Sequence, residues 1–190
     1  MGIRLGRTMM GDRTRTIGPR RWRCIVGALA ASLVAGGAPL RDAEAGYLTA
    51  IRTVAARLTV QSIGHRAAVE AALGITLKLE SEGAFRFWSG PGFRLDGIPV
   101  RDVDYREPTA EADPAAGPLL ALDLEPAACL TLDAIRASFP DARITATPRG
   151  SYGERTSLSI DSGGGELTFG IAADPPECLN VLIFMRKRAS

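Results

Sequence analysis

Downstream of Gly74 the spacing of apolar residues changes from one in three or four to one in two, and that period recurs through most of the remaining chain. A period of two is that of a strand with one face buried, so this feature commits the larger part of the chain to sheet. The segment ITLKLES (75–81) alternates Ile75, Leu77 and Leu79 with Thr76, Lys78 and Glu80. AFRFWSG (84–90) puts Phe85 and Phe87 on one side and Arg86 and Trp88 on the other, and IPVRDVDYRE (98–107) alternates with a mixed polarity that suggests a position near an edge. LLALDLEP (119–126), ARITATP (142–148), TSLSIDS (156–162), ELTFGIA (166–172) and CLNVLIFM (178–185) complete the set. Between them lie turn-forming stretches: Ser89 to Gly92, the Pro- and Ala-rich 108–118, the Gly163 triplet and Asp174-Pro175-Pro176. Successive strands joined this way pair antiparallel.

Helical spacing occupies what precedes and what divides the strands. Tyr47, Ile51, Val54, Leu58 and Ser62 predict a helix from Tyr47, with a break near Ser62-Ile63-Gly64, a resumption over 67–73 and a C-cap at Gly74. His65 beside the break reads as a polar junction residue. Thr131 is placed to N-cap a short helix that ends before Pro140. The expected fold is therefore α+β, an antiparallel sheet with helices packed on one face. A shift of about 63 residues lays the first helix-then-strands run over the second, so the chain reads as two repeats, 46–125 and 126–190.

The N-terminal segment reads differently. Arg13, Arg15, Arg20, Arg21 and Arg23 precede an uncharged stretch, Cys24 to Leu40, whose most apolar part ends at Ala35; Ala43-Glu44-Ala45 follows. A basic region, a short apolar core and a small-x-small site make a secretory signal peptide, and the core falls short of the ~20 residues that span a bilayer. The expected boundary is 1–45 as signal peptide and 46–190 as one exported domain, with translation from Met1, Met9 or Met10 left open; an uncleaved N-terminal anchor is the alternative. Residues 1–45 hold eight of the 23 basic residues and three of the 21 acidic ones, leaving 15 against 18, a net −3. The remainder has no basic excess of the kind that holds nucleic acid. A protein partner in the cell envelope is expected, with membrane contact only if the N-terminal segment stays uncleaved.

Two cysteines lie beyond the leader, Cys129 and Cys178. In an exported chain such a pair predicts a disulfide; a closed loop of about 50 residues is worth roughly 4 kcal/mol in the chain-entropy account.

Motifs that carry chemistry are missing. One histidine does not furnish a typical zinc site, Ser151 lacks the glycine two positions before it that a nucleophile elbow needs, and no glycine run precedes a phosphate-binding helix. Asp102 and Asp104 share a strand face and read as solvated charges. The sequence thus predicts no cofactor, no metal and no catalytic residue. Aromatic and arginine side chains are the residues interfaces use as anchors; Arg86, Trp88, Phe93 and Arg94 cluster around Gly90-Pro91-Gly92, with Arg149, Tyr152 and Arg155 a second group. On the reading that Phe85 and Phe87 face inward, Arg86 and Trp88 face out and form the partner-binding surface.

The two helix-then-strands halves and the Cys129/Cys178 pair resemble small exported bacterial α+β domains of the β-lactamase-inhibitor-like and outer-membrane-assembly-lipoprotein-like type. The resemblance covers most of residues 67–185 and lies in element order alone; the chain has no lipidated cysteine of the lipoprotein kind. It implies protein binding rather than catalysis, and a fold alone does not fix function. The expectation is a periplasmic protein-binding module, an inhibitor or immunity-type protein being one form of it. The alternatives are an envelope structural or assembly factor, and a hydrolase with an unrecognised site.

Overall fold

The computed structural model describes residues 38–125, 129–149 and 154–187, with side chains from Ala43 onward. The chain divides into two units, residues 1–35 and 36–190, and all described residues belong to the second. The arginine-rich segment and the apolar run Cys24–Ala35 lie outside the described residues, as does Tyr152.

Helix α1 spans Ala38–Arg57 and buries Leu48, Ile51, Val54 and Ala55, with Leu58 just beyond its end, a stripe of helical period. It begins well upstream of Tyr47, where the sequence spacing predicts its start. The added turns include Ala38, Ala43 and Ala45, the residue type of highest helix propensity; none of residues 43–47 is buried. The helix ends where hydroxyls compete for backbone. Ser62 Oγ accepts from the Thr59 amide at 2.7 Å and donates to the carbonyls of Arg57 and Thr59. So Ser62 belongs to the break rather than to the stripe. Helix α2, Arg66–Leu73, buries Val69 and Leu73 and closes on Gly74, whose φ of 69° is the left-handed conformation expected of a C-cap. Glu70 Oε1 then accepts from the Leu77 amide at 2.8 Å and leads the chain out.

Nine strands follow: β1 Lys78–Glu82, β2 Phe85–Gly90, β3 Phe93–Leu95, β4 Ile98–Pro108, β5 Leu119–Leu124, β6 Arg143–Ala146, β7 Arg155–Ser162, β8 Gly165–Ala172 and β9 Leu179–Arg186. Helix α3, Leu132–Ser138, divides β5 from β6. All pair antiparallel in one sheet of order β1-β2-β4-β5-β9-β8-β7-β6, with β3 paired to β4. The architecture is α+β and dominated by sheet. The last strand before α3, β5, pairs with the last strand of the chain, β9, and the earlier strands of each run step outward from that seam to edges at β1 and β6.

Three expectations need correction. The strand expected over 75–81 starts at Lys78, and every residue of β1 is exposed; Leu77, tied to Glu70, enters the core before the strand begins. β4 is not near an edge but between β2 and β5. The short strand β3 was not anticipated; it turns into β4 through Asp96 and Gly97, both at positive φ, as a two-residue hairpin turn requires. The Gly163-Gly164 turn between β7 and β8 has the same character, with φ of 55° and 78°.

One buried cluster organises the packing. It draws Ile51, Val54 and Leu58 from the first helical segment, Val69 from α2 and Ile135 from α3. From the sheet it draws Tyr105, Leu120, Leu122, Leu182 and Phe169, among other alternate strand residues. Each fully buried leucine contributes about 2 kcal/mol by removal of apolar surface from water. The Tyr105 hydroxyl crosses the layer to donate to the Ile63 carbonyl at 3.0 Å, and burial, with Glu107 nearby, raises its pKa above that of a free tyrosine. Thr131 caps α3 by accepting from the Ala134 amide. At the other end of α3 Phe139 stacks 4.9 Å from Phe169 while Arg52 covers its ring and donates to the Ser138 carbonyl. Cys129 and Cys178 are joined, with Cα atoms 4.9 Å apart, and beside them the Leu179 amide donates to the Leu130 carbonyl. The bond predicted from the sequence thus staples the entry to α3 onto the start of β9.

Candidate partner-binding face of the sheet

The side chains that alternate with the core set line the other surface of the sheet, and the strand registers arrange them in rows. One row runs Phe87, Arg106, Leu119, Met185, Glu166, Asp161 across β2, β4, β5, β9, β8 and β7. The next runs Ser89, Asp104, Ala121, Ile183, Thr168, Ser159. A third holds Asp102, Asp123, Val181 and Gly170. The middle of this surface, on β5 and β9, is therefore aliphatic: Leu119, Ala121, Ile183, Met185. Charges and hydroxyls flank it on both sides.

This register inverts the face assignment expected for β2. Trp88 stands opposite Tyr105 and packs against the core; its indole Nε1 is buried without a hydrogen-bond partner, and the Arg66 guanidinium lies 4.7 Å over its ring. Phe87 stands opposite Arg106, whose guanidinium covers its ring at 5.3 Å. Alternation fixes which residues share a side but not which side is inward, and on β2 both sides carry bulky aromatics. The other expected anchors do not rescue the original surface. Arg86 is held by Glu82 at 2.8 Å and faces Glu107 at 3.8 Å, and Glu82 raises its pKa. Phe93 packs against the core. Arg94 is exposed and donates to the Gly97 carbonyl of its own hairpin. Arg86, Trp88, Phe93 and Arg94 thus do not form one outward patch, and the aromatic–arginine pair on the open surface is Phe87 with Arg106.

One end of that surface is closed by ion pairs. Asp123 lies 3.8 Å from both Arg101 and Arg155, and Arg101 holds Asp102 at 3.0 Å. Arg155 reaches across because residue 170 is glycine. A Cβ there would sit 2.4 Å from Val181 Cγ1 and 3.1 Å from Arg155 Cδ. Asp104 is paired with Arg106 at 2.9 Å, so Asp102 and Asp104 each answer an arginine and do not converge on a common ligand. Among the described residues no group of three His, Cys, Asp or Glu side chains is placed to hold a metal. His65 is exposed at the start of α2 and makes no side-chain capping bond. At the β1 edge, Glu80 accepts from Ser89 at 2.7 Å and from Lys78 at 3.2 Å; the Ser89 bond, then Lys78, lowers its pKa.

The other end opens into a groove of about 610 Å³ between Phe85, Phe87, Leu119 and Met185, with Arg106 and Arg186 beside it. The loop over 113–118 forms a wall. It is anchored where Thr109 donates to the carbonyls of Gly83 and Ala84, and turned where Asp113 accepts from the Ala115 amide. Gly117 lets it lie on β9, since a Cβ there would be 2.6 Å from Arg186 Cβ. A second hollow, about 700 Å³, lies by β6 and is lined by Arg143, Asp161, Glu166 and Lys187 among others. Several of its polar groups answer one another. Lys187 pairs with Asp161, and a hydroxyl chain runs Thr145, Ser159, Thr168 to Glu166. Measured against protein-family models, curated proteins and solved structures, the chain matches none.

Proposed function

We propose that this chain is an exported, non-catalytic protein-binding module that uses the surface formed by Phe87, Leu119, Ile183 and Met185. The observation that carries the proposal is a set of apolar side chains on one side of β2, β5 and β9, with Phe87, Leu119 and Met185 in one register row that passes Arg106 of β4 and Ile183 in the next row, half-buried rather than exposed and next to a groove. Contact energy concentrates in such aromatic and arginine anchors, and the ordered ion pairs at the opposite end give the surface a fixed shape. In this reading the helices form a layer on the core side of the sheet, and the two helix-then-strands runs are a duplication whose last strands meet at the β5/β9 seam. The shared membership of one core cluster and the strand order support both.

Export to the periplasm is part of the same reading. The disulfide suits an oxidising compartment. A cut after Ala45 removes no buried side chain among the described residues, because burial begins at Leu48. No helix among the described residues is long and apolar enough to cross a membrane. Sequencing the N-terminus of the native product tests export: a start near Gly46 supports it, and a cytoplasmic chain retaining Trp22 overturns it. Binding is tested by cross-linking capture of envelope proteins with the natural chain and with Ile183→Lys, using Ile144→Lys on exposed β6 as the control. Capture lost with Ile183→Lys and kept with Ile144→Lys supports the reading. Equal capture by all three chains overturns it. A captured inner- or outer-membrane complex instead of a soluble protein favours the assembly-factor form.

A further inference from the structure

We infer that the open face of the sheet packs on the same face of a second copy of this chain, about a two-fold axis that runs along the strands between β5 and β9. This rests on the proposal that the open surface binds protein, and it names the partner. In a two-fold dimer, when residue i meets residue j, j also meets i. An axis along the β5/β9 seam exchanges left and right across the strands and keeps each register row opposite itself. So β5 lies over β9 of the second copy, and β4 over its β8. In the first row Leu119 then meets Met185 of the second copy, and Arg106 meets its Glu166. In the next row Ala121 meets Ile183. Beyond them lies the pair Asp123–Arg155, its carboxylate on β5 and its guanidinium reaching from β7 over Gly170. The axis sets that pair against its own reverse, so each guanidinium approaches the other copy's carboxylate.

The match is specific to this axis. A two-fold across the strands would exchange the rows and lay Leu119 on Asp123 and Asp104 on itself. The ion pairs already present do not oppose the seam axis. Arg106 carries five donors, and its 2.9 Å bond to Asp104 uses one. Glu166 is half-buried, accepts from Thr168 at 3.2 Å and meets no cation among the described residues; the axis brings Arg106 to it. Shape agrees with charge. A two-fold along the strands turns the saddle of a twisted sheet onto itself, so two copies stack in the aligned manner of a sandwich. Three rows over β2 to β7 cover on the order of 1,100 Å² counting both copies, from ~4.8 Å between strands and ~6.8 Å between rows. That is at the small end of specific interfaces. The 113–118 wall stands beyond the first row and borders the contact.

The test follows the native disulfide-bonded product by sedimentation velocity over a series of concentrations. It should dimerise with a Kd on the order of 10 μM, as suits an interface of this size. Arg106→Glu and Glu166→Arg should each weaken the dimer about tenfold or more, because each sets like charges opposite one another at both symmetric contacts. Mixing the two variants should restore most of the affinity, since both contacts of the mixed dimer then hold opposite signs. Ile183→Lys should abolish the dimer, and Ile144→Lys on the far edge strand β6 should leave it intact. Urea unfolding of each variant checks that the fold is retained. A native product that stays monomeric about tenfold above that Kd overturns the inference. So does a dimer that survives Ile183→Lys, or a mixture that associates no better than its components. Its failure is distinct from failure of the proposed function. A monomer whose envelope capture is lost with Ile183→Lys leaves the surface a binding site for a different protein. A dimer whose envelope capture is equal in all variants leaves the face a contact between copies and overturns the envelope partner instead.

Discussion

Phe87 and Trp88 are neighbours on one strand, and they stand on surfaces with different physics. Trp88 is half-buried on the core side: its neighbours are Tyr105 and the buried cluster, and its stacked cation comes from a helix, at Arg66. The Phe87 side is graded. It runs from ion pairs at Asp123 through an aliphatic middle to an open groove, and its stacked cation, Arg106, comes from the next strand. Both sides carry apolar residues, so hydrophobicity alone does not separate them. What separates them is whether another element covers the row, and that is a tertiary fact.

The largest expected contrast lies one residue apart on β9. Leu182 is fully buried and Ile183 is on the open side. Leu182→Lys buries an unpaired ammonium and should cost about 5 kcal/mol or more, leaving little folded protein by circular dichroism. Ile183→Lys keeps its charge in water and should shift stability by less than about 1 kcal/mol. Similar losses for both would dissolve the distinction between the surfaces.

The disulfide comes next. Cys178→Ser frees Cys129 and the entry to α3, and should cost about 3 kcal/mol in a urea titration. The loss belongs to the packed side, so capture by the open surface should persist at temperatures where the variant remains folded.

A smaller effect tests the seal through pH. Tyr105 donates to the Ile63 carbonyl from within the core, and burial raises its pKa; burial also pushes the Tyr47 hydroxyl up to about 12, with Arg94 opposing and Glu125 adding. A tyrosine whose folded pKa is raised keeps its proton when the unfolded chain has lost it. Stability is then fully present below pH 10 and falls as pH rises from there through the folded value. Tyr105→Phe should cost about 1 kcal/mol at neutral pH, since it leaves the Ile63 carbonyl without this donor. It should also flatten the alkaline decline in stability. An unchanged alkaline profile would mean that Tyr105 is not sealed.

Much of the fold was legible in the sequence for physical reasons. Gly74, Thr131 and the Gly163 turn are set by local backbone chemistry, and each stands where its residue type predicts. The cysteine pair was legible because two cysteines beyond residue 45 leave a single pairing. The β3–β4 hairpin was also present in the sequence, as Asp96-Gly97 between apolar residues, but three-residue strands are too short to show a period. The start of β1 was misplaced because Ile75 and Leu77 are apolar at strand spacing yet are drawn into the core by the Glu70 bond before the strand begins. The surface was illegible for a different reason. The rows Phe87–Arg106–Leu119–Met185 join residues distant in sequence, and no local pattern on β2 distinguishes Phe87 from Trp88 as the outward one.

Parallel urea unfolding of Trp88→Ala and Phe87→Ala tests that assignment most directly. Trp88→Ala opens a space beneath Arg66 and beside Tyr105 and should cost about 2 kcal/mol, whereas Phe87→Ala removes a side chain that borders the open groove beside Arg106 and Phe85 and should cost less than about 1 kcal/mol. The opposite order, with Phe87→Ala the more destabilising, would place the core on the Phe87 side and contradict the account.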